Sequence, residues 1–314
     1  MTQASSRSDA VSASLPVSTL GLTALTAAAP ISWGTTYLVT TEFLPPGYPL
    51  MSGVIRALPA GLILLAITRK LPHGKWLWRS LLLGTLNIGA LFALLFVAAY
   101  RLPGGIAAIL VAVLPLFVAG LAFLLLNVKP TRWLLGWGLV GVVGVGLIVL
   151  RGRLSFDLLG ILAGIAAAGV MAGGIVLTKR WGRPEGAGAA TIAGWQLTAG
   201  GLVLVPLALA FEGLPPGLDL RALGGYAWLS LVGALLSFMV WFHGIGKLPV
   251  VAASFLALLS PAVAAILGWL FLDESLTPWQ GVGVLLALTA IAAAQLSPDV
   301  VRNLVRTPAT AKGE

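Results

Sequence analysis

The sequence predicts an all-α membrane protein of ten transmembrane helices, arranged as two inverted five-helix repeats. Hydrophobic residues make up 59% of the 314 and charged residues 9%, a balance outside the range of water-soluble domains. Apolar runs of spanning length, about 20 residues each, follow one another with short polar breaks over residues 20–296. The chain also matches itself at a fixed offset, which divides those runs into two sets.

The runs lie at 20–41, 48–68, 77–100, 104–126, 132–150, 157–178, 188–211, 222–246, 249–272 and 278–296. Their boundaries are chemically marked: Pro45-Pro46-Gly47, Pro72-His73-Gly74, Lys129-Pro130, Arg183-Pro184-Glu185-Gly186 and Pro215-Pro216-Gly217 all oppose continuation of a helix. Residues 1–19 are rich in Ser and Ala, with Arg7 and Asp9, and lack the charged start and cleavage pattern of a signal peptide. They read as a disordered cytoplasmic tail, and 297–314 as a second cytoplasmic tail.

An even number of spans puts both termini on one side, so the Lys and Arg residues can be tallied by face. On the terminal side fall Arg7, Arg69, Lys70, Lys75, Arg79, Lys129, Arg132, Lys179, Arg180, Arg183, Lys247, Arg302, Arg306 and Lys312, and on the other only Arg101, Arg151, Arg153 and Arg221. The excess of positive charge predicts that both termini are cytoplasmic. The formal charge of +9 is explained by this orientation signal; the basic residues are scattered and form no face for nucleic acid. The chain has no cysteine, which removes disulfides, thiolate metal sites and Cys nucleophiles.

At an offset of 146, Arg101-Leu102-Pro103 falls on Lys247-Leu248-Pro249, Phe92 and Phe96 on Phe238 and Phe242, Pro115 on Pro261, Thr131 on Thr277 and Trp133 on Trp279. Ala and Leu matches are expected from composition, whereas prolines, a tryptophan and a basic residue in register are not. At an offset of 140, 53–64 falls on 193–204, and Arg56 on Gln196. The first repeat therefore covers 20–150 and the second 157–296. Five helices are an odd number, so the second copy enters the membrane from the opposite face, the organisation of many secondary transporters. A duplication kept only for structure is the alternative.

The residues that carry the repeat also carry a resemblance. Trp33-Gly34-Thr35-Thr36, Arg56, Tyr100-Arg101-Leu102-Pro103, the paired Pro115 and Pro261, and Phe271-Leu272-Asp273-Glu274-Ser275-Leu276-Thr277 resemble the EamA branch of the drug/metabolite transporter superfamily. Thr40-Thr41-Glu42-Phe43-Leu44-Pro45-Pro46 and Arg56-Ala57-Leu58-Pro59-Ala60-Gly61 are similar to its pigment-efflux-like members. The resemblance implies a five-plus-five helix fold in a bacterial inner membrane and export of amino acids or related metabolites. Asn127 stands where the second copy has Asp273, so the acidic helix end is not shared by both halves.

Several residues are candidates for chemistry. Arg56 lies about 12 Å into its helix at 1.5 Å per residue, where a permanent charge needs a wet cavity, a ligand or carbonyl partners. Its guanidinium suits a substrate carboxylate; the alternative is a structural Arg serving a broken helix. Trp33, Thr36, Tyr37, Asn87, Tyr100, Trp195, Gln196, Trp241 and Ser260, with Ser32, supply polar and aromatic groups for a neutral or zwitterionic solute, although each alone reads as a packing or interfacial residue. His243 is the candidate proton relay, and its place near a helix end also suits an interfacial role. Pro115 and Pro261 are candidate hinges. Gly136, Gly138, Gly141, Gly144 and Gly146 read as a close-packing stripe.

No Asp or Glu falls in the middle of any predicted helix, so a membrane carboxylate for proton-coupled export of cations has no counterpart. No phosphate-binding loop is present to support ATP drive, and no metal or cofactor is called for. The expected function is secondary export of small metabolites, amino acids or related zwitterionic and aromatic compounds, by alternating access. The expected partners are a small solute and the lipid bilayer; the sequence leaves the oligomeric state open, a monomer included. A passive facilitator of the same solutes is the nearest alternative. A membrane enzyme would need acids or histidines converging at one face, and a purely structural protein would not need Arg56.

Overall fold

Inside hydrocarbon, an unpaired backbone N–H or C=O costs several kcal/mol, and the described chain meets that constraint with helices alone. The computed structural model describes residues 17–101, 112–149, 157–215, 217–271 and 277–296. Helix α1 is Val17–Phe43 and α2 is Pro49–Thr68. Helix α3 begins at Lys75–Gly84, passes through a π-helical turn at Thr85–Gly89 and continues as Ala90–Arg101. Then follow α4 (Leu114–Leu126), α5 (Arg132–Val149), α6 (Leu158–Trp181) and α7 (Ala189–Phe211). Helix α8 repeats the interrupted form, Leu220–Ser230, a π-helical turn at Leu231–Leu236, and Ser237–Lys247. Helix α9 runs through Val250–Phe255, a 3₁₀ turn at Leu256–Leu258 and Leu259–Phe271, and α10 is Pro278–Gln295.

Seven stretches among the described residues are long and apolar enough to cross a membrane: Pro49–Thr68, Lys75–Leu95, Leu158–Trp181, Ala189–Phe211, Leu220–Lys247, Val250–Phe271 and Pro278–Gln295. Leu114–Leu126 and Arg132–Ile148 are shorter apolar helices. The expected start of the fourth run at 104, and both expected tails apart from Val17–Thr19, lie outside the described residues. The expected end at 178 falls short of the observed Trp181, because Lys179 and Arg180 continue α6 until Gly182 turns the chain with φ 63°. The interruptions of α3 and α8 were not anticipated, since hydropathy carries no record of hydrogen-bond register.

Helix starts are set by local chemistry. Thr277 and Gln280 form a capping box at α10, and Gln280 Nε2 also donates to Ile148 O of α5 at 2.9 Å. Asp219 accepts from Ala222 N at 2.7 Å at the start of α8. Helix α2 begins with Pro49 and borrows its cap: the Glu212 carboxylate, just past α7, accepts Leu50 N at 2.7 Å and Met51 N at 2.8 Å. An acid there also complements the positive helix end. Asp157 caps α6 by accepting Gly160 N at 2.7 Å and pairs with Arg101 at 3.3 Å. The Gly160 N–H foremost, then Arg101, hold its carboxyl below the usual carboxylate range.

The helices pack in a recurring scheme. α2 lies along α7 and α5 along α10; α3 contacts α6 and α7, as α8 contacts α1 and α2; α4 packs on α6, as α9 packs on α1. Small residues permit the closest approaches. A Cβ added to Gly200 of α7 would lie 2.6 Å from Gly84 O of α3, and one on Gly283 of α10 would lie 2.6 Å from Gly144 O of α5. Of the predicted glycine stripe, Gly138, Gly141 and Gly144 meet neighbours, whereas Gly136 and Gly146 face open space.

Two outcomes follow from these contacts. Gly200→Leu or Gly144→Leu is expected to destabilise the protein by about 1–3 kcal/mol through overpacking, while Gly136→Leu leaves it unchanged; thermal unfolding in detergent checks this. Because the Asp157 pKa is depressed on folding, its stabilisation is complete above the unfolded carboxylate pKa and is lost as pH falls through the folded one. The unfolding midpoint of Asp157→Asn should therefore converge with that of the parent chain at acid pH.

Candidate functional site

The two π-helical turns fall at matched places in the two halves. The 146-residue offset carries Thr85–Gly89 onto 231–235 and sets Asn87 on Gly233. A π turn shifts the hydrogen-bond ladder by one residue, which leaves inward-facing backbone groups to be served by side chains.

At the α8 turn, Gly233 O accepts from Arg56 Nη2 at 2.9 Å and from Trp33 Nε1 at 3.1 Å. Arg56 also donates from Nη1 to Thr36 Oγ1 at 3.4 Å. Its guanidinium carbon lies 5.5 Å from the centre of the Phe92 ring, within cation–π range. The Trp33 ring contacts Phe238 at 5.3 Å and, edge-on, Trp241 at 5.2 Å. One cluster thus draws on α1, α2, α3 and α8, and brings together four of the predicted residues: Trp33, Thr36, Arg56 and Trp241. Three members, the Gly233 carbonyl, Phe92 and Phe238, were missed by sequence reasoning. The available signal was the register of Gly233 on Asn87 and of Phe92 on Phe238. The bonds from Arg56 to the broken helix are those of the structural alternative, but they leave its Nε buried without a partner.

At the α3 turn, Asn87 Nδ2 donates to Gln196 Oε1 at 2.7 Å, with both side chains buried. Gly174 of α6 lies directly against the Asn87 amide, where no Cβ would fit. Since Gln196 stands at the repeat position of Arg56, and Asn87 at that of Gly233, the two contacts are one arrangement built twice with different residues. In one copy the turn contributes a side chain, and in the other only its carbonyl.

The remaining candidates lie elsewhere. Trp195 donates to Lys70 O at 2.7 Å and meets the Trp76 ring at a tilt, 5.9 Å between centres, beside the 69–74 loop and away from Arg56. The Ser260 carbonyl packs on Gly34 of α1, where an added Cβ would sit 2.8 Å away, and Ser32 Oγ is buried without a partner. Tyr37 and Tyr100 fall in α1 and α3, with side chains outside the described set. His243 is four residues before the end of α8, in a cationic setting: Arg183 donates to the neighbouring Phe242 O at 2.6 Å, and Lys247 ends the same helix. Pro115 occupies the first turn of α4, just after a break at Val113, instead of a helix interior. Pro261 likewise follows the 3₁₀ turn of α9. Among the described residues no three His, Cys, Asp or Glu side chains cluster to hold a metal.

The buried amide pair gives a separable test. Asn87→Leu alone is expected to cost about 1–3 kcal/mol by leaving Gln196 unpaired, and the Asn87→Leu/Gln196→Leu double variant to cost less than the sum of the singles. Thermal unfolding of the four proteins measures the coupling.

Comparison with known proteins agrees with this architecture. The EamA-like transporter family model matches twice, over residues 20–150 and 158–294. Protein PecM of Dickeya dadantii (strain 3937) is 44% identical over 263 residues, covering 84% of this chain and 88% of that protein. The uncharacterized inner membrane transporter YedA of Escherichia coli (strain K12) is 30% identical over 263 residues, covering 81% of this chain and 85% of that protein. A solved crystal structure superimposes with a TM-score of 0.70 over 87% of this chain and 97% of its own at 17% identity, a likeness of fold alone. The chain is a multi-pass membrane protein and belongs to the EamA-like transporter family.

Proposed function

We propose that the protein is a secondary exporter of small metabolites in a bacterial inner membrane, with ten spans, both termini cytoplasmic, and two inverted five-helix halves that alternate access to a site between them. The observation that carries this reading is the Arg56 cluster. Trp33, Thr36, Arg56 and Phe92 come from the first half and Gly233, Phe238 and Trp241 from the second, so any change in how the halves meet changes the site. The helix pairing supports the inversion, since the contacts of α3 with α6 and α7 and of α4 with α6 are matched by those of α8 with α1 and α2 and of α9 with α1.

The proposed solute contacts are Arg56, Trp33, Thr36 and Trp241, with Asn87 and Gln196 forming the second polar pair; Tyr37, Tyr100, Trp195 and Ser260 are outer candidates. Pro115 and Pro261, each next to a helix break, are the proposed hinges. His243 is the proposed titrating group. Transport by a passive facilitator is the second reading, favoured by the lack of any Asp or Glu within the described spans.

Cells overproducing the protein are expected to export, and to resist, a subset of amino acids, their analogues and aromatic metabolites. Arg56→Ala should lower that transport about tenfold or more while keeping its thermal midpoint in detergent. Unchanged handling of every compound would sink the exporter reading. Accumulation against a gradient in liposomes under an imposed proton gradient separates active export from facilitation.

A further inference from the structure

The guanidinium of Arg56 is a permanent charge on a residue that is 9% exposed, and its bonds go only to neutral oxygens, Gly233 O and Thr36 Oγ1. Burial of an ion without a counter-ion is costly. Among the described residues the acids are Glu42, Asp157, Glu185, Glu212 and Asp219, all at helix ends or in loops. Glu42 pairs with Arg221, Asp157 with Arg101, and Glu212 caps α2. None serves Arg56.

The vacant donor has a direction. Nε and Nη2 form one edge of the guanidinium plane, the edge that takes a carboxylate through two parallel bonds. Nη2 now holds Gly233 O, and Nε holds nothing. A carboxylate docking on this edge would satisfy Nε and replace Gly233 O at Nη2. The carbonyl released is not orphaned, because Trp33 Nε1 already donates to it. The same Trp33 opens an aromatic wall with Phe238 and Trp241, suited to a planar ring attached to the acid. No buried carboxylate among the described residues is available to receive an ammonium group.

Resting on the exporter reading above, we propose that Arg56 is the counter-ion site for an aromatic monocarboxylate, and that the membrane potential drives this anion outward. The site is positive when empty and neutral when loaded, so each cycle carries one negative charge, that of the solute, out of a cell whose interior is negative. A potential of about 100 mV sustains a gradient of roughly fifty-fold for one charge. Export on this basis requires no titrating carboxylate in the membrane.

The test uses the full chain in liposomes with a potassium diffusion potential of either sign and equal neutral pH on both sides. Indole-3-acetate, phenylacetate, neutral indole-3-acetamide, cationic tryptamine, non-aromatic cyclohexaneacetate and tryptophan are compared over protein-free vesicles. The expected result is that the two aromatic acids move fastest, that reversing the potential reverses their direction, and that Arg56→Gln slows them about tenfold or more while Arg56→Lys restores part of the rate. In detergent, indole-3-acetate should raise the thermal midpoint of the parent chain but not of Arg56→Gln. Faster transport of tryptamine, indole-3-acetamide or tryptophan, indifference to potential, or full anion transport by Arg56→Gln would overturn the proposal while leaving the exporter reading intact. Failure to move either aromatic acid also overturns it, and failure to move any solute counts against both.

Discussion

The structure depends on the rule that a backbone group freed inside a membrane must be served by something else. Helices α3 and α8 break that ladder with π turns at matched positions. The consequence is visible in the side chains that converge on the turns: Arg56 and Trp33 on Gly233 O, and Gln196 beside Asn87. A polar residue on α2 or α7 would be expensive facing lipid. Facing the turn of the opposite half, it becomes part of the contact that joins the halves.

The close pairing of α2 with α7 makes this exchange possible. Gly61, Gly194 and Gly201 lie so near the neighbouring helix that added Cβ atoms would come within about 3 Å of it, and Gly200 is as close to α3. With the backbones this near, Arg56 reaches across to α8 and Gln196 to α3 without long solvent-filled gaps. The α5–α10 pair, joined through Gly144 and Gly283 and by Trp133 Nε1 donating to Ala293 O at 2.9 Å, forms a second close contact between the halves. Polar capping is kept to the rims, where Glu212, Asp219 and Asp157 serve helix ends.

The two copies have diverged at the π turns. Outside the π turns they share Phe92 with Phe238, Pro115 with Pro261 and Trp133 with Trp279. At the turns they differ: a neutral amide pair on one side and a guanidinium with a bare carbonyl on the other. The amide pair is joined by one bond and leaves Gln196 Nε2 without a partner, and the guanidinium site leaves Arg56 Nε without one, so the two copies differ in charge. As the proposed solute site, this asymmetric arrangement would distinguish the two ends of a solute, which a strictly symmetric one would not.

Hydropathy and the 146-residue offset were enough to read the apolar helices and the repeat and to single out Arg56 as a charge within a helix, because apolar length and an intramembrane charge are properties of the chain taken one segment at a time. The same reading grouped Trp195 and Ser260 with Arg56, since sequence reports that a residue lies in a span but not which neighbour it faces; packing sends Trp195 to the Lys70 carbonyl and Ser260 against Gly34. It also treated α3 and α8 as regular, because a π turn arises from a one-residue shift in hydrogen-bond register that composition does not encode. The sequence by itself determined that the chain spans the membrane in two related sets of helices. Only the tertiary structure decided that Arg56 meets a backbone carbonyl of the other half, because that contact needs the close approach of α2, α7 and α8 and a turn that exposes Gly233 O.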